Sequence, residues 1–218
     1  VSNNTYKALA VLIGYVIGVG MFGMPFLISR AGVIPFFILV IGLGLVQHFL
    51  HLIYANVILV TKEYHQLPGY AGLYLGGSGK KLAALAKITG DFSALLAYII
   101  ITGIFLNELL SPYLGGNEFI YASLLFAFEA LIIFFGIGML ARAELFMTIL
   151  LLLVVILITA KGWGHINTDN FILIDWRYAL LPYGAMLYAL DGNGAIPMVV
   201  RILRRSKENI RRVIRLGF

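Results

Sequence analysis

The residues able to do chemistry lie inside apolar runs. Asp191 and Asn193 interrupt YGAMLYALDGNGAIPMVV, residues 183–200, together with Gly192, Gly194 and Pro197. Glu129 stands alone in FAFEALIIF, Glu108 follows Asn107 near the end of another run, and Gln47, His48 and His51 share a third. An acid or amide surrounded by apolar residues is expensive in hydrocarbon and marks a function or a specific partner. The chain has no cysteine, which excludes disulfides, thiolate catalysis and a CxxC zinc site. It carries no HExxH, GxxxxGK[ST] or zinc-finger pattern. Two histidines fall short of the three or four ligands of a metal site. His48 and His51, three apart on one helical face, read as a hydrogen-bonded pair turned toward a neighbouring helix. Nothing converges into a catalytic set, so no enzyme activity, cofactor or metal is expected.

The elements that must position these groups are membrane helices. Of 218 residues 61% are apolar and only 12% charged, with mean hydropathy +0.96. Soluble domains hold about 25% charged residues. Six continuous apolar runs of 17 to 29 residues cover about 6–29, 33–59, 85–113, 118–140, 145–161 and 178–203. Each matches the roughly 20 residues that cross about 30 Å of hydrocarbon as a helix, and they are too long and too uniform for barrel strands of about 10 alternating residues. The first run contains Gly18, Gly20, Gly23 and Pro25 and is followed by no small-residue cleavage box, so it reads as a retained span rather than a signal peptide. Val1 is not Met, and residues are expected to precede it.

Net charge is +6. In a soluble chain this raises nucleic acid as a partner; here the basic residues fall between spans and set orientation. With the N-terminus inside, 13 of the 16 Lys and Arg lie on the inner side, and only Arg30, Lys161 and Arg177 on the outer. Without the seven of the tail the ratio is still six to three, so the positive-inside rule selects cytoplasmic N- and C-termini in an inner-type membrane. Trp163 and Trp176 bracket an outer loop at 162–177 as interface anchors. Pro68 and Gly69 predict a turn, or a cytoplasmic gate, within the polar stretch 61–81. The basic tail RILRRSKENIRRVIR is suited to contact anionic lipid. Asp91, in KITGDFSA, reads as a packing or interface group.

Two spans look breakable. GYVIGVGMFGMPF, residues 14–26, places Gly18, Gly20 and Gly23 before Pro25 at mid-span. Glycine disfavours helix and proline removes an N–H, so the helix should break near 18–22. The sixth span is likewise interrupted at mid-depth by Asp191, Gly192, Asn193, Gly194 and Pro197. Freed backbone groups in lipid need a cavity or a ligand, and half-helix ends supply partial charges suited to a zwitterion or ion. Ordinary kinks and close packing explain glycine and proline in one span. Two broken spans five apart, entering from opposite faces, fit inverted five-helix repeats, an architecture for which this pairing is a known signature.

GYVIGVGMFGMPF resembles the first-helix motif of amino acid permeases of the amino acid/polyamine/organocation superfamily, and is most similar to the branch of aromatic amino acid permeases and transmembrane amino acid transporters. HQLPGYAGLYLGGSGK, residues 65–80, resembles the first cytoplasmic loop of that branch, LDGNGAIPMV its broken sixth helix, and RILRRSKENIRRVIRLGF its linker into helix seven. The resemblance implies an all-α transmembrane, leucine-transporter-type inverted-repeat fold. Residues 1–161 would form the first five-helix repeat, 162–177 an extracytoplasmic loop, 178–203 helix six and 204–218 a linker toward helices seven to ten, which a working form is expected to need. It further implies that the backbone at Gly18, Val19, Gly20, Met21 and Phe22 holds the α-amino and α-carboxyl groups of a substrate, and that Ala189, Leu190, Asp191, Gly192, Asn193 and Gly194 line its side-chain end. Asp191 then reads substrate, carries a proton, or pairs with a further helix.

The function expected is secondary active transport (symport) of an amino acid by alternating access, with the bundle of helices one, two and six moving against helices three and four. A proton or sodium gradient would drive it, with Glu129, Asp191 and Glu108 as candidates for coupling. The alternative for Glu129 is a protonated acid bonded to a neighbouring helix. The alternatives are a non-transporting scaffold, a fragment inactive alone, or a channel, for which no filter motif of the TVGYG kind is present. Lipid contact and interface belts account for the 13% aromatic content, so the substrate is not legible.

Overall fold

The structure, a computed structural model, describes residues 3–18, 20, 23–134, 153–165, 167 and 170–217. All regular elements among the described residues are helical. They are α1 (Asn3–Val16), α2 (Met24–Ala31), α3 (Val33–Val60), α4 (Leu67–Leu114), α5 (Glu118–Phe134), α6 (Leu153–Gly162), α7 (Pro182–Ala189), α8 (Ile196–Ile202) and α9 (Lys207–Gly217), with a 3-10 turn at Trp163–His165. Two compact units result, one of Val1–Lys87 with Thr168–Phe218, the other of Ile88–Asn167.

Among the described residues two helices, α3 and α4, are long and apolar enough to cross a membrane. α3 coincides with the second expected span and, at 28 residues, is about 42 Å long. The first and sixth expected spans are each split in two. Pro25 sits in the first turn of α2 and Pro197 in the first turn of α8, where the missing N–H would have no intrahelical partner anyway. The fourth span is described to Phe134 and the fifth from Leu153; the turn at 141–144, with Arg142, lies outside the described residues.

The stretch after α3 departs from expectation. Rather than a loop to residue 81, helix begins at Leu67 and runs on across a kink at Gly76. Pro68 lies in its first turn, where proline is well tolerated, so it starts the helix; the turn bond is the Gly69 N–H donating to Gln66 O at 2.8 Å.

Polarity in α3 is inverted relative to a soluble helix. Phe49 and Ile38 are 61% and 65% exposed, while Gln47 and His51 are 4% and 0%. In water this distribution would be unstable; against hydrocarbon it is the expected one, with polar groups turned inward. The apolar core of the larger unit joins Ala8 and Leu12 of α1, Ala55 and Ile58 of α3, Tyr70 of α4, Ile196, Val199 and Val200 of α8, and Ile210, Val213 and Ile214 of α9. The basic tail is thus an amphipathic helix whose apolar stripe is buried in protein, leaving Arg211, Arg212 and Arg215 exposed.

One side chain joins α3 to the α8–α9 turn. The Arg205 guanidinium donates to Ile58 O (2.6 Å), Leu59 O (3.0 Å), Thr61 O and Lys62 O (3.1 Å), and lies over the Tyr64 ring at 5.1 Å. These are carbonyls at and beyond the end of α3, which lack intrahelical donors. At the opposite end of α3 the segment 171–175 does the complementary work. Val33 and Ile34 N–H donate to Ile172 O (2.9 Å) and Leu173 O (3.1 Å), and Asp175 N–H to Ala31 O (3.1 Å). Gly32 permits this approach: its φ is +90°, and a Cβ there would lie 2.7 Å from Leu173 O.

In the smaller unit Asn117 Oδ1 accepts from Ile120 N–H at 3.0 Å, capping α5. Tyr121 OH donates to Gly115 O at 2.6 Å, and Gly103 of α4 faces Ala122 of α5, closely enough that a Cβ would meet Ala122 Cβ at 2.7 Å.

Candidate functional site: two helix breaks in contact

The breaks expected from glycine and proline are both present. α1 ends at Val16, Ile17 and Gly18 bend, and α2 resumes at Met24. Val19, Met21 and Phe22 of the expected site lie outside the described residues. The second break runs from Leu190 to Ala195, between α7 and α8. The fold places the two against each other. A Cβ built on Gly20 would sit 2.7 Å from Ala189 Cβ and 3.0 Å from its Cα, and one on Gly194 would overlap the Tyr15 ring. Gly18, Gly20 and Ala189 to Gly194 therefore belong to one locality. Glu108, exposed on α4, and Glu129, half-buried on α5, belong to the other unit.

The second break is held by local and long-range bonds. Asp191 Oδ1 accepts from Asn193 N–H (3.1 Å) and from Asn193 Nδ2 (2.6 Å). This closes an Asx turn, which offers the backbone an alternative to helix. Leu190 N–H still donates to Met186 O (2.9 Å), and Ala195 N–H to Gly192 O (3.0 Å). The Gly192 N–H between them is buried and donates to His51 Nε2 of α3 at 3.1 Å. One helical turn earlier, Gln47 Nε2 donates to Leu187 O of α7 at a longer 3.4 Å.

The pair that faces the broken helix is thus Gln47 and His51, four residues apart, rather than His48 and His51. His48 packs edge-on against Phe49, ring centroids 6.0 Å apart. The sequence pointed to His48 and His51 as the pair turned toward a neighbouring helix and missed Gln47 and that the interface is the break itself; the available signal was the i, i+4 spacing of Gln47 and His51 on an otherwise apolar helix. Replacing His51 with leucine leaves the buried Gly192 N–H without this acceptor. The variant is expected to lose about 2 kcal/mol of stability and to accelerate amide exchange at Gly192 more than at Val199, which hydrogen-exchange mass spectrometry resolves.

Beside α2 an open cavity of about 480 Å³ is lined by Phe26, Ser29, Arg30, Ile172, Asp175, Arg177 and Tyr178. Arg30 lies over Phe26 at 5.5 Å and Arg177 over Tyr178 at 5.8 Å. Arg177 forks onto Asp175 through Nε (3.1 Å) and Nη2 (3.0 Å). The hydrogen bond from the guanidinium holds the Asp175 carboxyl below its ordinary range, and Arg177 is correspondingly raised. A carboxyl whose pKa is depressed by folding contributes stability above its unfolded pKa of about 3.9, and that contribution disappears as pH falls through the lower folded value. Arg177→Gln should therefore return the Asp175 pKa upward toward about 3.9, as read by carboxyl-carbon NMR titration, and remove this acid-side pH dependence.

A family model described as the tryptophan/tyrosine permease family matches residues 1–218. No curated protein and no solved structure matches the chain.

Proposed function

The chain belongs to the tryptophan/tyrosine permease family, and from that premise we propose that it carries an aromatic amino acid across the cytoplasmic membrane by alternating access, driven by a proton or sodium gradient. Membership implies amino acid transport in a membrane. The observation that supports the finer reading is the contact between the two helix breaks, Gly20 against Ala189 and Tyr15 against Gly194. Two breaks side by side bring half-helix ends of both signs to one locality. Ends of α1 and α7 present carbonyls, suited to an ammonium group, and the start of α2 presents N–H groups, suited to a carboxylate. A zwitterion satisfies both.

In this reading the backbone of Gly18, Val19, Gly20, Met21 and Phe22 holds the α-amino and α-carboxyl groups, and residues 189–194 line the ring end. Asp191 acts first as the acceptor that shapes the second break, through its bonds to Asn193, and is with Glu129 and Glu108 a candidate for coupling to the driving ion. The N- and C-terminal ends of the chain face the cytoplasm, as the distribution of Lys and Arg supports.

The test is uptake of labelled tryptophan and tyrosine into proteoliposomes, with a proton gradient and a sodium gradient imposed separately. Accumulation under one gradient, abolished by its collapse, is the expected result and names the coupling ion. Flux that only runs downhill under either gradient refutes secondary active transport in favour of a channel. Absence of flux and of binding by folded protein refutes the transport reading.

A further inference from the structure

Gln47 carries a buried acceptor that no described residue satisfies. The residue is 4% exposed, and its Oε1 is enclosed without a hydrogen-bond partner among the described residues. Buried polar atoms are nearly always paired, so such an atom points to a donor from elsewhere. The amide orientation is set by its neighbour: Leu187 O needs a donor, which only Nε2 supplies. The acceptor end is therefore Oε1.

Its place narrows what the donor is. α3 meets the broken sixth span at two points, Gln47 at Leu187 and His51 at Gly192. Those points bracket 188–191, which overlaps the stretch 189–194 assigned above to the ring end of the substrate. His51 Nε2 is already engaged by Gly192 N–H, which leaves Gln47 Oε1 to meet an incoming donor. Tryptophan and tyrosine, the amino acids in the description of the family, share one feature that phenylalanine lacks: a ring bearing a single donor away from the α-carbon, the indole N–H or the phenol O–H.

We propose that Gln47 is a specificity-determining residue whose Oε1 accepts the ring N–H of tryptophan or the ring O–H of tyrosine, so that the site selects aromatic amino acids carrying a donor. This rests on the transport reading and on the break as its site. A site built to bond a substrate hydroxyl or N–H rejects the analogue without it, because the buried partner is then left unpaired.

The experiment is equilibrium binding to the whole chain in detergent, with tyrosine, phenylalanine, tryptophan and 1-methyltryptophan as competitors. The wild type should prefer tyrosine to phenylalanine and tryptophan to its N-methyl analogue. Gln47→Met should reduce both preferences by about tenfold or more while phenylalanine affinity changes by less than about twofold. Gln47→Glu keeps a side-chain acceptor oxygen and should retain most of the preference, which a role in packing alone would not require. Preferences that survive in Gln47→Met, or a parallel loss of tyrosine and phenylalanine binding, overturn the assignment while leaving the transport reading intact. A wild type that binds these amino acids without preferring the donor-bearing ones also overturns the assignment alone, whereas a folded wild type that binds none of them overturns both.

Discussion

Gly20→Ala is expected to force the two helix breaks apart, lowering stability by about 3 kcal/mol and substrate affinity by at least about tenfold. The reason is what the added methyl meets. Its nearest atoms are Ala189 Cβ at 2.7 Å and Ala189 Cα at 3.0 Å, against ordinary carbon contacts of about 3.5–4.0 Å. One of those atoms is backbone, at the last residue of α7, so no rotamer change makes room and one break must shift bodily. Gly194→Ala provides the contrast. Its methyl would collide with the Tyr15 ring, which is the far end of a side chain 48% exposed rather than backbone. The alanine at 194 should therefore be much the milder change, although it gives the closer contact on paper. Thermal melting and ligand binding on both variants, with Gly20→Ala combined with Ala189→Gly, check the argument. The double variant should recover part of the loss, a coupling on the order of 1–2 kcal/mol. Equal damage from Gly20→Ala and Gly194→Ala would show that backbone approach is not what limits the site.

The second large effect is expected at Arg205. Arg205→Ala removes donors from four carbonyls at once, those of Ile58, Leu59, Thr61 and Lys62, and takes the cation from the Tyr64 ring. Hydrogen bonds from a charged group contribute about 1.5–3 kcal/mol each when buried. Water replaces the more exposed of these, so a net loss of roughly 3 kcal/mol is expected, seen as a lowered melting temperature of the purified protein. Lysine should recover less than half of it, because a single ammonium cannot reproduce the planar fork. Arg205 also holds φ +62°, a left-handed conformation that disfavours alanine by roughly 1–2 kcal/mol relative to glycine. Arg205→Gly should accordingly be the less damaging truncation, an inversion of the usual order that only this backbone geometry produces. If glycine proves worse than alanine, the left-handed conformation is not the native one.

Several features were legible in advance because their causes are local. Gly18, Gly20, Gly23 and Pro25 weaken a helix through their own backbone chemistry, and α1 ends at Val16 with α2 starting at Met24. Asp191, Gly192 and Asn193 favour a turn through a bond spanning two residues. The boundary of α3 followed from the length of an uninterrupted apolar run. The error at Pro68 has the same root. Proline reads as a turn residue and as a first-turn helix residue alike, and its own neighbourhood does not decide between them.

The partners of α3 were not legible. In a helix apolar on nearly every side, a 3.6-residue period marks no preferred face, so by spacing His48 and His51 made as good a pair as Gln47 and His51. What separates them is a contact 141 residues away, between His51 and Gly192. Arg205 is similar: as a letter it belongs to a basic tail, and only the folding of that tail back onto α3 turns its charge into a cap. An aromatic substrate was not legible in composition, because lipid contact uses the same residues; the proposal of one rests on family membership.

Hydropathy, charge placement and the glycine–proline runs were enough to specify an apolar helical chain with two interruptions, since each depends on neighbours within a turn or on transfer to hydrocarbon. That the interruptions touch, that Gln47 and His51 rather than His48 face one of them, and that Arg205 closes the end of α3 were decided by tertiary structure. Those contacts depend on which helix faces join across long separations, and a chain that is apolar on every face does not encode that choice locally.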